Sequence, residues 1–215
     1  MESLFGASEG WRSTITNTSR FPTFLVRPDK VFRVVLLAAC IFLCAGPLGG
    51  DQNAQLSEDQ IKTGFLFNFT KFVQWPPDAF VDSNAPIVVA VFGDTSVRNL
   101  LTEVAAGKSL DGRAVIVKTF KEGQDLRTCQ ILFVSASEER HVTQILEGLK
   151  GSSVLTVGEV GGFVQSGGMI NFFVEGNKVR LEINLDAAAR GRLKISAKLI
   201  AVARLIPVNA LRGEN

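Results

Sequence analysis

The side chains able to do chemistry are few. His141 is the only histidine, and it stands beside Glu138, Glu139 and Arg140 on a segment that reads as a solvent-facing helix. A serine or cysteine nucleophile would need it as a base, and a solvated helix position is a poor place to hold one. Beyond residue 50 the one cysteine is Cys129, just ahead of the apolar run ILFV. A single thiol makes no internal disulfide, and this one reads as a small buried hydrophobe. One histidine and one cysteine also fall short of a usual zinc cluster. Gly107-Lys108-Ser109 has the ending of a phosphate loop, but Thr102 stands where that loop needs glycine. The triplet also precedes a strand instead of following one. Neither G-x-G-x-x-G nor G-x-S-x-G occurs, and the acids are scattered singly. No catalytic, cofactor or metal site is expected.

Binding chemistry remains, and it depends on the elements that would position it. Ser57-Glu58-Asp59-Gln60 has the form of a capping box, opening a helix over 58–75 that Pro76-Pro77 stops. The run 87–92 reads as a buried strand, followed by a helix capped by Asp94 and ending near Ala106. Strands over 114–120, 130–135 and 154–157 follow, with a helix over 138–149 that Ser135 or Ser137 could cap. The alternation of strand and helix predicts a parallel sheet with helices on its faces. After a glycine-rich loop at 161–168 the pattern changes. Val179, Leu181 and Ile183 alternate with Arg180, Glu182 and Asn184, the sign of a hairpin over 169–174 and 178–184 with one wet face. Short helices over 185–190 and 197–206 close the fold. The expected architecture is therefore α/β and three-layered, with a mostly parallel sheet and a C-terminal antiparallel hairpin.

In an open parallel sheet, ligands sit beyond the C-terminal strand ends. Those ends carry Asp94, Ser135, Ser137 and Glu159, which form a candidate ligand crevice with the glycine loop beside it.

Composition narrows the class. The 215 residues hold 23 bases and 21 acids. Residues 1–50 take five bases and three acids, leaving 18 of each for the rest. A neutral body lacks the electrostatic footprint of a nucleic-acid binder. The first 50 residues read as a targeting segment. Arg27, Lys30 and Arg33 precede the uncharged run VVLLAACIFLCA, and Gly46, Pro47, Gly49 and Gly50 follow it. This order of basic, apolar and small residues is a secretory signal pattern, and twelve residues fall short of the about 20 that span a bilayer. The expected organisation is a cleaved signal peptide over 1–50 and a single domain over 51–215, exported to the periplasm.

Several collinear stretches look familiar. They include KTGFLFNFTKFVQWP at 62–76, IVVAVFGD at 87–94, GKSLDGRAVIV at 107–117 and CQILFVSASE at 129–138. VLTVGE at 154–159, FVQSGGMINF at 163–172, VRLEINLDAA at 179–188 and LKISAKLIAVA at 193–203 continue the series. The chain resembles the YfiR family of exported bacterial proteins. That resemblance implies a non-enzymatic periplasmic regulator that binds the periplasmic sensor part of an inner-membrane diguanylate cyclase. Binding would repress the cyclase and keep cyclic di-GMP, and with it biofilm formation, low. A different membrane sensor as partner, or a homodimer, is the variant of this reading. A small-ligand sensor reporting to a receptor such as a histidine kinase is the alternative. The resemblance also implies cysteines where Ala90 and Asn171 stand, so redox gating by an internal disulfide is not expected. For the partner interface the candidates are Phe67 and Trp75, off the main face of the first helix, and Phe163 and Met169 near the glycine loop.

Overall fold

A computed structural model describes residues 56–206 apart from residue 122. The signal-peptide reading of residues 1–50 therefore lies outside the described residues. Helix α1, Glu58–Phe72, opens with the capping box expected of it: Ser57 Oγ accepts the Gln60 N–H, and the Gln60 side chain accepts the Ser57 N–H. It ends before Trp75 because the chain turns extended into β1, Val73–Gln74, which pairs antiparallel with β9, Lys194–Ile195.

The main sheet is eight-stranded. Its parallel centre is β2 (Ile87–Phe92), β4 (Arg113–Phe120), β5 (Ile131–Val134) and β6 (Leu155–Gly158). β3 (Ser109–Leu110) adds an antiparallel edge beside β4. On the other side, β7 (Ile170–Glu175) runs parallel to β6 and forms an antiparallel hairpin with β8 (Lys178–Ile183). The order is β10-β8-β7-β6-β5-β2-β4-β3, where β10 is Arg204–Leu205. Both hairpins use two-residue turns with positive φ at each centre, Asp111-Gly112 at 50° and 81° and Gly176-Asn177 at 55° and 61°. Such turns match the twist of their strands.

The central strands are apolar throughout because both faces are covered. Val89, Val91, Ile131 and Phe133 point to one side, where they pack with α1, with α2 (Val97–Ala105) and with α4 (Leu185–Arg190). Val88, Ala90, Phe92, Leu132 and Val134 point to the other, against α3 (Val142–Gly148) and Phe163. The three-layer expectation holds. Aromatic rings join α1 to the sheet: Phe69 stacks on Phe172 at 6.1 Å between centroids, and Phe133 meets Phe172 edge-on at 6.2 Å.

Three local expectations change. The helix over 197–206 shortens to α5, Ala197–Ile200, because Arg204 and Leu205 extend instead and pair parallel with Glu182 and Ile183. Pairing satisfies backbone groups that β8 would otherwise leave open. Asp94 does not cap α2, whose cap position is Ser96; Thr95 Oγ1 accepts the Val97 N–H at 3.2 Å instead. The helix over 138–149 begins as a 3-10 stretch, Ala136–His141, with Glu138 out of helical geometry, before α3 takes over.

Candidate functional site

The strand order reverses direction between β2 and β5, so the place where an α/β sheet ordinarily binds ligands is the gap beyond Phe92 and Val134. The four crevice candidates meet there, Asp94 through its backbone alone. Ser135 Oγ and Ser137 Oγ lie 2.7 Å apart, and Ser137 Oγ accepts the Asp94 N–H at 3.0 Å. Gly93 makes this approach feasible. Its φ is +98°, and a Cβ there would collide with both serine hydroxyls and with Glu138. Asp94 contributes only backbone to the cluster, since its carboxylate points into solvent and meets Arg98 at 3.5 Å.

The crevice is filled by the protein itself. Glu159 Oε1 accepts the Ala136 N–H at 2.9 Å, and so caps the 3-10 stretch that Ser135 and Ser137 were expected to cap. Glu159 Oε2 meets Lys62 Nζ at 2.5 Å, and Lys62 also meets Glu58 at 2.6 Å. Lys62 comes from α1, and its side chain is 8% exposed. Burial alone would lower its pKa, but the two carboxylates outweigh burial and hold the ammonium above its usual 10.5. A hydrogen bond from Ser96 Oγ to Asp59 fixes the same end of α1 to the start of α2. Lys62 and Glu159 thus form a buried clamp between helix and sheet, while Asp94 and Ser137 stay exposed beside it. Lys62 was missed because a lysine in an amphipathic helix reads as a solvated residue. The one signal was Thr63 and Leu66 beside it on the buried side.

The opposite end of the sheet has a second polar hub, also not anticipated. Gln130 is buried. Its Oε1 accepts the Val88 N–H at 2.8 Å and its Nε2 donates to Ala79 O at 2.8 Å. Its backbone carbonyl accepts the Trp75 indole N–H at 3.1 Å. Trp75 is therefore held by its polar edge while its ring stays partly exposed, packed against the core. Phe67 is also partly buried, with Lys71 Nζ 5.1 Å from its ring centroid. These two interface candidates reach the surface.

The other two do not. Phe163 is fully buried, with its ring lodged against Gly158 and Gly168, where any Cβ would strike it. Gly168 of the loop and Gly158 at the end of β6 make room for this internal plug. Met169 is 7% exposed and packs toward Gly191. Neither side chain is available to a partner in this conformation.

His141 is half-exposed and pairs through Nδ1 with Glu138 Oε2 at 2.7 Å. Cys129 is buried with Sγ 3.2 Å from Leu126 O, and burial pushes its thiol up to about 12. No helix among the described residues is long and apolar enough to cross a membrane.

Comparison with known proteins supplies a context for this geometry. A crystal structure titled conserved domain protein from Vibrio cholerae O1 biovar El Tor str. N16961 is similar at 12% identity with a TM-score of 0.46. The similarity covers 70% of this chain and 60% of that one, so the chain spans less than two thirds of that relative's length. A family model described as YfiR/HmsC-like matches residues 59–204, from α1 to the start of β10. That family is one of periplasmic regulators, known as regulatory and not catalytic. With the match running through every layer of the fold and over more than half of the sequence, the chain belongs to the YfiR/HmsC-like family.

Proposed function

We propose that this protein is a non-enzymatic periplasmic regulator that binds the periplasmic sensor part of an inner-membrane diguanylate cyclase and holds cyclic di-GMP low. Family membership supports the regulatory class. The observation that carries the reading is the partial exposure of Phe67 on α1 and of Trp75 just after β1, although the fold buries most of its large apolar side chains. Trp75 is pinned by its hydrogen bond to Gln130, so docking would cost it little side-chain freedom. Rigid aromatic anchors of this kind commonly dominate protein interfaces. To switch a sensor from mostly active to mostly inactive, the regulator must prefer one state by about 5.5 kcal/mol, within reach of two or three such anchors.

The test is cyclic di-GMP in a strain lacking this gene, complemented with the native chain or with Phe67→Asp. Deletion raises the level, the native chain restores it, and Phe67→Asp does not, although the purified variant is still folded by far-UV circular dichroism. An unchanged level on deletion, or full restoration by Phe67→Asp, overturns the proposal.

A further inference from the structure

Among the described residues, the crossover from β4 to β5 contains no α-helix. Between Phe120 and Ile131 its one helical piece among the described residues is the 3-10 turn Leu126–Thr128. Parallel strands are ordinarily joined by a helix that covers the sheet, and here the cover on the α3 side is incomplete. A cavity of about 490 Å³ opens in its place. Its apolar lining is Phe92 at the end of β2, Leu126 of the turn, and Ile145 and Leu149 of the α3 segment. The volume falls within the range of about 300–1,000 Å³ typical of small-molecule sites.

The rim is rich in donors. Arg127 gives Nε and Nη2 to Gly148 O at 3.1 and 2.9 Å, which fixes the guanidinium at the opening and leaves Nη1 without a partner among the described residues. Lys121 lines the same cavity, and its ammonium makes no ion pair or hydrogen bond among the described residues. The Gln144 amide is likewise unpaired among the described residues. One carboxylate, Asp125, also lines the cavity, with its Oδ1 turned to the Arg127 N–H at 3.0 Å; His141 of the lining is paired with Glu138. An apolar seat under two cationic donors suits one chemistry.

We propose that this cavity binds a small organic anion, its ring or short acyl body seated on Phe92, Ile145 and Leu149 and its carboxylate, sulfonate or phosphate at Lys121 and Arg127. The site is separate from the strand-end clamp and from the α1 surface, so it stands or falls independently of the cyclase reading.

The probe is 8-anilinonaphthalene-1-sulfonate, titrated into the folded full chain and followed by fluorescence. Binding saturates at one site. Gln144→Trp, which fills the cavity from an exposed position, weakens it by about tenfold or more. Lys121→Glu weakens it by about three- to tenfold and leaves the neutral N-phenyl-1-naphthylamine unaffected. Lys150→Glu, an exposed charge change outside the cavity lining, alters neither. Near-UV circular dichroism shows that each variant keeps native packing. Absence of saturable binding, binding indifferent to Gln144→Trp, or equal weakening by Lys150→Glu overturns the proposal.

Discussion

Replacing Lys62 by methionine tests the clamp at the strand ends. The ammonium is 8% exposed and has carboxylate partners at 2.5 and 2.6 Å. Glu159 is 12% exposed and Glu58 49%. Removing one partner of a buried ion pair costs about 3–5 kcal/mol. Three features reduce that here. Glu58 stays half in water, so its share is that of a surface pair, about 0.5 kcal/mol. Glu159 keeps the Ala136 N–H, and methionine keeps most of the buried aliphatic stem. The expected loss is about 2–3 kcal/mol, or about 5–10 °C in Tm for a domain of this size. The double variant Lys62→Met with Glu159→Gln recovers part of it, with a coupling energy of about 1–2 kcal/mol. The pH dependence has a defined sign. The folded-state pKa of Lys62 is raised, so its contribution is fully present below the usual 10.5 and is lost as pH climbs through the folded value. The native chain therefore loses stability more steeply than Lys62→Met at strongly alkaline pH. Urea denaturation followed by far-UV circular dichroism measures all three quantities. A loss under about 0.5 kcal/mol at neutral pH, or a coupling energy near zero, would show that the ammonium is screened and the clamp contributes no stability.

Other perturbations reach other parts of the molecule. Gln130→Leu strands the Val88 N–H and the Ala79 carbonyl and lowers stability by about 2–3 kcal/mol in urea titrations; a loss below half that would mean water takes over both groups. Cys129, with its pKa pushed up to about 12 by burial, resists a thiol reagent at pH 8 in the native state and reacts at once in denaturant. Rapid native labelling would contradict the buried placement. Asn171 is buried, and its Oδ1 lacks a hydrogen-bond partner among the described residues. Asn171→Leu removes that orphan at similar volume and raises stability by about 1 kcal/mol in the same urea assay; a clear loss would mean the amide is satisfied in solution.

Much of the fold was legible because its central strands obey a simple rule. IVVAVF and ILFV lack polar alternation, and only a sheet covered on both faces accepts that. The capping box and the hairpin around Gly176-Asn177 were equally local signals. The site was harder. Asp94, Ser135, Ser137 and Glu159 do meet at one place, as strand-end geometry predicts, but the element that fills the place is α1, about 97 residues from Glu159 in sequence. No local pattern reports that a lysine will cross such a distance to bury its charge. The glycine loop misled for a related reason: Gly158 and Gly168 are small to admit the ring of Phe163, a packing fact invisible without the partner. The pairing of Arg204 and Leu205 with β8 depends on an open edge, which propensity within 197–206 does not encode.

The short pairing of β1 with β9 has a consequence for assembly order. The first helix of the fold packs on Phe172, the strand that follows it pairs with Ile195, and Arg192 reaches back 114 residues to Asp78. α1 can dock on α2 as soon as both exist, but β1 and the contact of α1 with Phe172 wait for nearly the last part of the chain. Closing so long a loop is entropically slow, and folding rates fall as contacts become more distant in sequence. The sheet is complete only when the C-terminal strands arrive. A ribosome stalled short of residue 195 should hold a protease-sensitive α1, and one stalled well beyond residue 206 a protected one.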